Sequence, residues 1–475
     1  MKFRLLALLC VLTLVAAACG SRLSGDELRT GAGGGGGTAT GSGTGSSSGG
    51  STTGTGGTGG TSDASGATVG TLKAPCGKKG AGGSSASTAP AGQAPAGQVP
   101  GVTADKIRIG VISDKKNDIT PVPTIGIEES VKGFVNYCNS LGGINGRTLV
   151  LSTYDSGIVK TDDVTKAACG DNLFALVGSG SVQDQQGVDT RVGCGLPEVG
   201  AYSATSQRAS SKDFFQPVPA TYADKFNVGA CKYIAKTFPK AVKKAAIVYT
   251  DVAASKDRAL ATVEACEKNA GFKFVVKKGL AFGEKNFGPV VDEMKSQGVE
   301  YFTIVSVVPD TLALLAAMQQ QDLKPQVIDL GQQYYDDAML KSQASDGAYV
   351  LTNTTPFAEA GDTPALKVYE KWSQDAGGQP TSLGVQAFSA GLMFAQAMST
   401  LGDNVTREGL VNAVKNIKEW DGGGLQMKTD PGDGTLNSCF LYLKISSGKF
   451  VREFPKKGFA CDPKNVVPIT PASGS

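Results

Sequence analysis

The chain is 475 residues long, with 46 Lys and Arg against 43 Asp and Glu, a net charge of +3, and no His. The near-neutral balance argues against a strongly basic nucleic-acid binder, and without His neither a His-dependent triad nor a His-ligated zinc site can form. Ten Cys with no paired C-x-x-C point to disulfides rather than zinc, and the length allows about two to three domains.

Lys2 and Arg4 precede an apolar stretch, Leu5 to Ala18, that is too short to span a membrane comfortably. It ends Val15-Ala16-Ala17-Ala18-Cys19-Gly20. Small residues followed by Cys resemble the bacterial lipobox, with Ala16 in place of the usual Leu. On that reading residues 1–18 are a lipoprotein signal peptide and Cys19 is acylated. An ordinary cleaved signal peptide is the alternative. Two or more acyl chains hold a protein on a membrane, each buried methylene contributing about 0.8 kcal/mol. Residues 19–101 are rich in Gly, Ser, Thr and Ala and cannot bury enough apolar surface to offset ordering entropy. They read as a disordered tether with an r.m.s. span of about 50 Å.

From Lys106 the pattern is strand then helix, repeated. Lys106–Ile112 reads as a strand. Ile127–Leu141 reads as an amphipathic helix with Val131, Phe134, Val135 and Cys138 on one face, stopped by Gly142-Gly143. Thr148–Tyr154, Phe174–Gly178 and Leu196–Tyr202 read as strands, Thr161–Cys169 and Gln183–Val192 as helices. A second series follows. It has helices at Tyr222–Phe238, Lys256–Ala270, around Phe287–Met294 and at Asp310–Gln321. Its strands are Ala245–Thr250, Phe272–Lys277, Tyr301–Val308 and Val327–Leu330. Next come a strand at Ala348–Asn353, helices at Leu366–Asp375, Gly384–Leu401 and Arg407–Ile417, and a hairpin over Cys439–Phe454 turning at Ser446-Ser447-Gly448. Alternating β and α at this spacing implies parallel sheets covered by helices, and two such lobes make a cleft that a hinge can close.

IRIGVISD (107–114), NSLGGINGRTLVL (139–151), ALVGSGS (175–181), LPEVGAYSATS (196–206), KAAIVYTD (244–251) and FGEKNFGPVVDEMKSQGVEYFTI (282–304) together carry a resemblance. The chain resembles the extracellular solute-binding proteins of the leucine/isoleucine/valine-binding family, from about Val102 to Asp462. The resemblance implies the α/β type I periplasmic-binding-protein fold: two doubly wound α/β lobes with a hinge and an interlobe ligand cleft. It also implies a discontinuous division. Lobe 1 holds 104–219 and 355–436, and lobe 2 holds 220–354 and 437–465. Crossings fall near Pro217–Pro219, Asn353–Pro356 and Asn437–Cys439.

The same resemblance places ligand contacts on loops after strands. In lobe 1 these are Ser179, Ser181 and Gln183, then Ser203, Ala204 and Thr205. Their hydroxyls and N–H groups suit a carboxylate or other acceptor, or simply cap helices. In lobe 2 the matching loops contain Asp251, Val307, and Gln332, Gln333 and Tyr334. Amino-acid binders of this family supply a carboxylate and aromatic groups there, whereas this chain reads GQQYY and SVVPD. A neutral amide, sugar-like or carboxylate-bearing solute therefore stands beside a zwitterionic amino acid. In the first loop, DKKNDITPVPTIG, the run Asp114-Lys115-Lys116 reads as solvated.

Gly178-Ser179-Gly180 is not a nucleotide loop, since no Walker Lys follows and position 183 is Gln. DPGDG (430–434) reads as a turn rather than a calcium loop. No metal or cofactor is expected. Setting aside Cys10 and Cys19 leaves an even number of Cys in an exported chain, with 105 possible pairings. Guided by the fold that the resemblance implies, we expect Cys169–Cys194, Cys231–Cys266 and Cys439–Cys461, which leaves Cys76 with Cys138.

The expected function is that of a monomeric, lipid-anchored extracytoplasmic binding protein, with no enzymatic activity and no nucleic-acid partner. It captures a small polar ligand by hinge closure and delivers it to an ABC transporter permease. A ligand sensor reporting to a membrane receptor is the alternative. A secreted hydrolase is the rival from another class; the chain has no His, and its folded body has no G-x-S-x-G elbow.

Overall fold

The computed structural model describes residues 68–73, 75–77, 99–116 and 126–470. The leader, Cys19, most of the tether and residues 117–125 of the first loop lie outside the described residues.

In lobe 1 five parallel strands lie in the order Thr148–Asp155, Lys106–Ser113, Ala175–Val177, Glu198–Val199, Phe214–Phe215. Ile107, Ile109 and Val111 are buried on one face of the second of these and Ile112 on the other, as a strand covered by helices on both sides requires. The helix Ile127–Ser140 buries Ile127, Val131, Phe134, Val135 and Cys138 against it. The same hydrophobic core takes in Leu366, Tyr369, Phe388, Phe394, Val411 and Leu425 from much later in the chain. Within the helix Ser382–Ser399 every residue but Gln396 and Ser399 is buried, the mark of a helix surrounded by protein. The strand expected over Leu196–Tyr202 shrinks to Glu198–Val199. Pro197 has no N–H to give the ladder, and the chain turns away after Val199.

Lobe 2 repeats the order. Phe274–Leu280, Ala245–Thr250, Tyr301–Val305, Val327–Leu330 and Tyr349–Thr352 run parallel, and the hairpin Cys439–Ser446/Lys449–Phe454 adds two antiparallel strands. One expectation fails here. The helix read over Tyr222–Phe238 is a short strand, Lys225–Asn227, followed by a helix from Gly229 to Thr237. The extended segment pairs with Val466–Pro468 and lets Asn227 Nδ2 donate to the carbonyls of Asn437 and Cys439, both at 3.0 Å.

The stretches by which the chain passes between the two sheets lie side by side. Pro217 O accepts from Gln426 Nε2 at 2.9 Å, Pro219 O accepts from Asn437 N at 3.0 Å, and Thr354 bridges Gln426. Such a bundle of short extended segments can absorb φ/ψ changes as a hinge does.

The tether reading needs a correction. Thr68–Val69 and Leu72–Lys73 form a tiny hairpin, Val69 is fully buried in the lobe 1 core, and Cys76 is disulfide-bonded to Cys138. Gly70 (φ 61°) and Gly423 (φ 80°) meet backbone to backbone, and a Cβ on either would come within about 2 Å of the other segment's carbonyl oxygen. The remaining disulfides are Cys169–Cys194, Cys231–Cys266 and Cys439–Cys461. DPGDG is a single 3-10 turn closed by Gly434. Among the described residues no helix is long and apolar enough to cross a membrane, and no cluster of metal-ligating side chains is present.

Candidate ligand site at the two switch points

In each sheet the strand order reverses between the first and third strands in chain order, and the loops leaving the carboxyl ends there form a crevice. In lobe 1 Ser113 bridges Gly180 across that point. In lobe 2 the hydroxyls of Thr250 and Ser306 lie 2.6 Å apart across it.

The lobe 1 loop begins at Gly178, whose φ of 71° and close approach to Val131 and Ala387 admit no side chain. Ser179 is buried; its Oγ accepts from Ile112 N at 3.1 Å and its carbonyl from Ala201 N at 2.9 Å. Ser181 is buried too, and its Oγ has no hydrogen-bond partner among the described residues. Gln183 is half-buried and accepts from Gln186 Nε2 at 3.0 Å. Ser203 Oγ donates to Gln216 Oε1 at 3.2 Å.

Ala204 N donates to Asp184 Oδ2 and Thr205 Oγ1 to Asp184 Oδ1, each at 2.6 Å. Thr205 also caps the short helix Ser206–Ala209. The donors expected to meet a ligand's acceptor therefore already hold a carboxylate of the protein, and the sequence reading is corrected on that point. Asp184 is 2% exposed. Arg208 joins it at 3.4 Å and also pairs with Glu198, which Arg191 holds at 3.3 Å from its other side. Burial pushes the Asp184 carboxyl up to about 6 against the opposing pull of Arg208, Thr205 and the Ala204 amide. Asp114 needs the same correction. It is 1% exposed rather than solvated and accepts from Ser156 Oγ, Ile158 N and Val182 N. Lys115 pairs with Glu128 and Glu129, and only Lys116 is exposed.

The lobe 2 loops are chemically milder. Asp251 is exposed and lies 3.5 Å from Lys256. Val307 is half-buried and starts the helix Val308–Gln320, whose first turn contains the buried Asp310. Gln332 Oε1 accepts from Asn353 Nδ2 at 3.1 Å and from Gln386 Nε2 at 2.9 Å, tying the lobe 2 loop to the central helix of the lobe 1 core. Gln386 is 1% exposed and its Oε1 is without a partner among the described residues. Gln333 is half-buried. Tyr334, expected at the ligand, is instead fully buried in the lobe 2 core. Its hydroxyl donates to Ser306 O at 2.9 Å and accepts from Thr311 Oγ1 at 2.8 Å, so it braces the Ser306–Thr311 loop from below.

Asp184, Arg208, Asn353 and Gln386 escaped the sequence reading. Asp184 is the neighbour of the chosen Gln183, and no local pattern says which of the two turns inward. Gln386 is the buried amide side chain of the largely apolar helix Ser382–Ser399, the one signal that could have drawn attention to it.

The Periplasmic binding protein family matches residues 106–449. None of the curated proteins matches the sequence. Among solved structures, the branched-chain amino acid transporter substrate binding protein LivJ of Streptococcus pneumoniae, in complex with isoleucine, is 14% identical. The alignment covers 77% of this chain and 100% of that one, at a TM-score of 0.57. A fatty acid ABC transporter substrate-binding protein of Thermomonospora curvata is 19% identical over 75% of this chain and 93% of its own, at 0.62. A solute binding protein of R. palustris in complex with 4-hydroxybenzoate is 16% identical over 75% and 98%, also at 0.62. At such identities the structural likeness speaks for the fold, and together with the match over 106–449 it decides the family: the chain belongs to the periplasmic binding proteins, with their type I fold of two α/β lobes.

Proposed function

We propose that this protein is a lipid-anchored, extracytoplasmic solute-binding subunit that closes on a small polar ligand and delivers it to an ABC transporter permease. The observation that carries this is the pairing of two switch-point crevices across a three-segment hinge, with Gln332 of one lobe already hydrogen-bonded to Gln386 of the other. Loops so placed need only a hinge rotation to enclose a solute, and no bond need be made or broken. The membrane attachment rests on Cys19. Cys19→Ser should release the protein from the membrane fraction or leave it unprocessed, and an unchanged fraction would refute the anchor.

The ligand in this reading has no free α-ammonium group. The lobe 2 loops present amides and hydroxyls. Their exposed acid, Asp251, already faces Lys256. An ammonium drawn from water into a closing cleft without a counter-charge loses several kcal/mol of solvation, and neutral hydrogen bonds return about 1 kcal/mol each. Isothermal titration calorimetry with leucine, isoleucine and valine should show weak binding or none, and tight binding of any of them would sink this assignment. Native mass spectrometry of the purified protein should find one small molecule per chain that is lost on unfolding and taken back on refolding.

A further inference from the structure

A cavity of about 290 Å³ shares the Ala204–Thr205 loop with the candidate ligand site, but Ser181, Asp251, Val307 and Gln332 are not in its wall. Lobe 1 contributes Ala204, Thr205 and Ser206 to its wall, and the lobe 2 helix Ala253–Ala270 contributes Asp257, Arg258, Leu260, Ala261 and Glu264. Phe226, on the short strand that the sequence reading missed, closes it together with Tyr222 and Ile469.

Its charged groups are unequally satisfied. Glu264 is held by Lys268 at 2.6 Å and by the Thr470 amide and hydroxyl. The Arg258 guanidinium lies over the Phe226 ring, 4.5 Å from its centroid. Among the described residues no hydrogen bond or ion pair engages that guanidinium. Burial alone acts on it and lowers it to about 10, with no carboxylate close enough to oppose the shift. Asp257, next to it in sequence, sits about a third of a helical turn away and is itself pushed up by burial. Lys225 adds a second, exposed cation at the rim. Arg258 is half-buried; a guanidinium has five donors and no acceptor, and drawing it even partly out of water without a partner is costly. An aromatic face offsets only part of that cost.

We infer that this cavity is a second binding site, for a carboxylic acid with a compact apolar body, whose carboxylate pairs with Arg258 while its apolar part lies against Phe226, Leu260 and Ile469. A planar carboxylate matches the guanidinium fork in two parallel hydrogen bonds. Because the wall comes from both lobes, an acid bound here touches lobe 1 and lobe 2 at once. The inference does not depend on what the switch-point cleft binds.

Benzoate is the probe, with benzamide as its neutral counterpart, on the full-length protein. Calorimetry should give a Kd for benzoate of about 1 mM or tighter, with benzamide at least about tenfold weaker. Arg258→Gln should weaken benzoate about tenfold or more, and Arg258→Lys by less, since it keeps the charge but loses the fork. Gln332→Ala, which disturbs the switch-point cleft, should weaken benzoate less than Arg258→Gln does. On the wild-type protein, 13C-methyl NMR should show the Ile469 methyl, assigned through Ile469→Val, shifting on titration. No benzoate binding, equal binding of benzamide, an unmoved Ile469 methyl, or loss of binding in Gln332→Ala but not in Arg258→Gln would each overturn the proposal. The methyl readout holds even if the Arg258 variants fold poorly.

Discussion

The two lobes share one strand order and bury their acids in opposite ways. In lobe 1 Asp184 sits in a chain of alternating charge, Asp184–Arg208–Glu198–Arg191, sealed from solvent under the loops expected to hold ligand. In lobe 2 the inward-facing acid, Asp329, has only neutral partners. Tyr301 and Tyr442 donate to it at 2.7 and 2.9 Å, and burial pushes it up to about 6. The acid on the lobe 2 switch-point loop, Asp251, is in water. The same scaffold thus fixes one set of loops by internal ion pairs, while the other set has the buried Asp310 at a helix start and Asp251 in water. From that difference we expect a rigid lobe 1 platform and an adaptable lobe 2 jaw.

The sharpest way to break this contrast is to cut the lobe 1 network. Arg208→Met leaves Asp184 without its cation and Glu198 with only Arg191. Removing one partner of a buried pair typically costs about 3–5 kcal/mol, so urea unfolding should show a loss of that order. A loss under about 1 kcal/mol would mean that the network is solvated and that the lobes are alike after all.

The next effect belongs to lobe 1 alone. Cys76 ties the segment 68–77 to Cys138 on the helix Ile127–Ser140, and Val69 is buried a few residues before it. Replacing both cysteines with Ser should reduce stability by about 2–4 kcal/mol and make the Thr68–Lys73 hairpin sensitive to protease. Continued resistance would show that the Val69 contact and the Gly70–Gly423 approach suffice without the bond.

Much of this fold was legible because buried strands and amphipathic helices carry their period in the sequence. Val131, Phe134, Val135 and Cys138 marked one helix face, and AAIVYT and YFTIV marked two central strands. Failures came where tertiary partners decide. Lys225–Asn227 is extended because Val466–Pro468, far along the chain, pairs with it. Thr68–Lys73 lies in a stretch whose composition suits disorder, yet Val69, Leu72 and a disulfide hold it. The candidate site was less legible still. Loop positions could be carried over from the resemblance, but whether Ala204 N and Thr205 Oγ1 are available depends on Asp184, which a sequence cannot orient. Tyr334 was one of the positions expected at the ligand, and only packing shows that it lies beneath the loop.

The acids of the two lobes also differ in how pH should reach them. Asp329 has no cation beside it, so its raised pKa reports burial first. Between about pH 4 and pH 6 the unfolded chain has given up this proton while the folded chain keeps it, so stability falls as pH rises through that window. Asp184, raised to about 6 as well, acts over the same range. Asp329→Asn keeps a neutral group between the two tyrosines and should remove about half of the decline, roughly 2 kcal/mol given its partial exposure. Tm measured from pH 4 to 7 tests this. An Asn variant with the wild-type slope would assign the decline to Asp184 and make lobe 1 the pH-sensitive half.

The smallest effect is the most telling about the jaw. Asp251 and Lys256 form a pair 3.5 Å apart, with side chains 56% and 49% exposed. Surface pairs of this kind contribute about 0–1 kcal/mol, so Asp251→Asn should leave the unfolding free energy within about 0.5 kcal/mol of wild type. Its effect on ligand affinity then separates two states of lobe 2. If closure leaves Asp251 at the rim, the variant should bind the co-purified solute within about twofold of wild type, and less in high salt only if that solute is charged. If closure instead buries Asp251 against a cation of the ligand, the same substitution should weaken binding by tenfold or more with stability unchanged. That outcome would overturn the assignment of a ligand without an ammonium group, because an acid would have reached the cleft on closure.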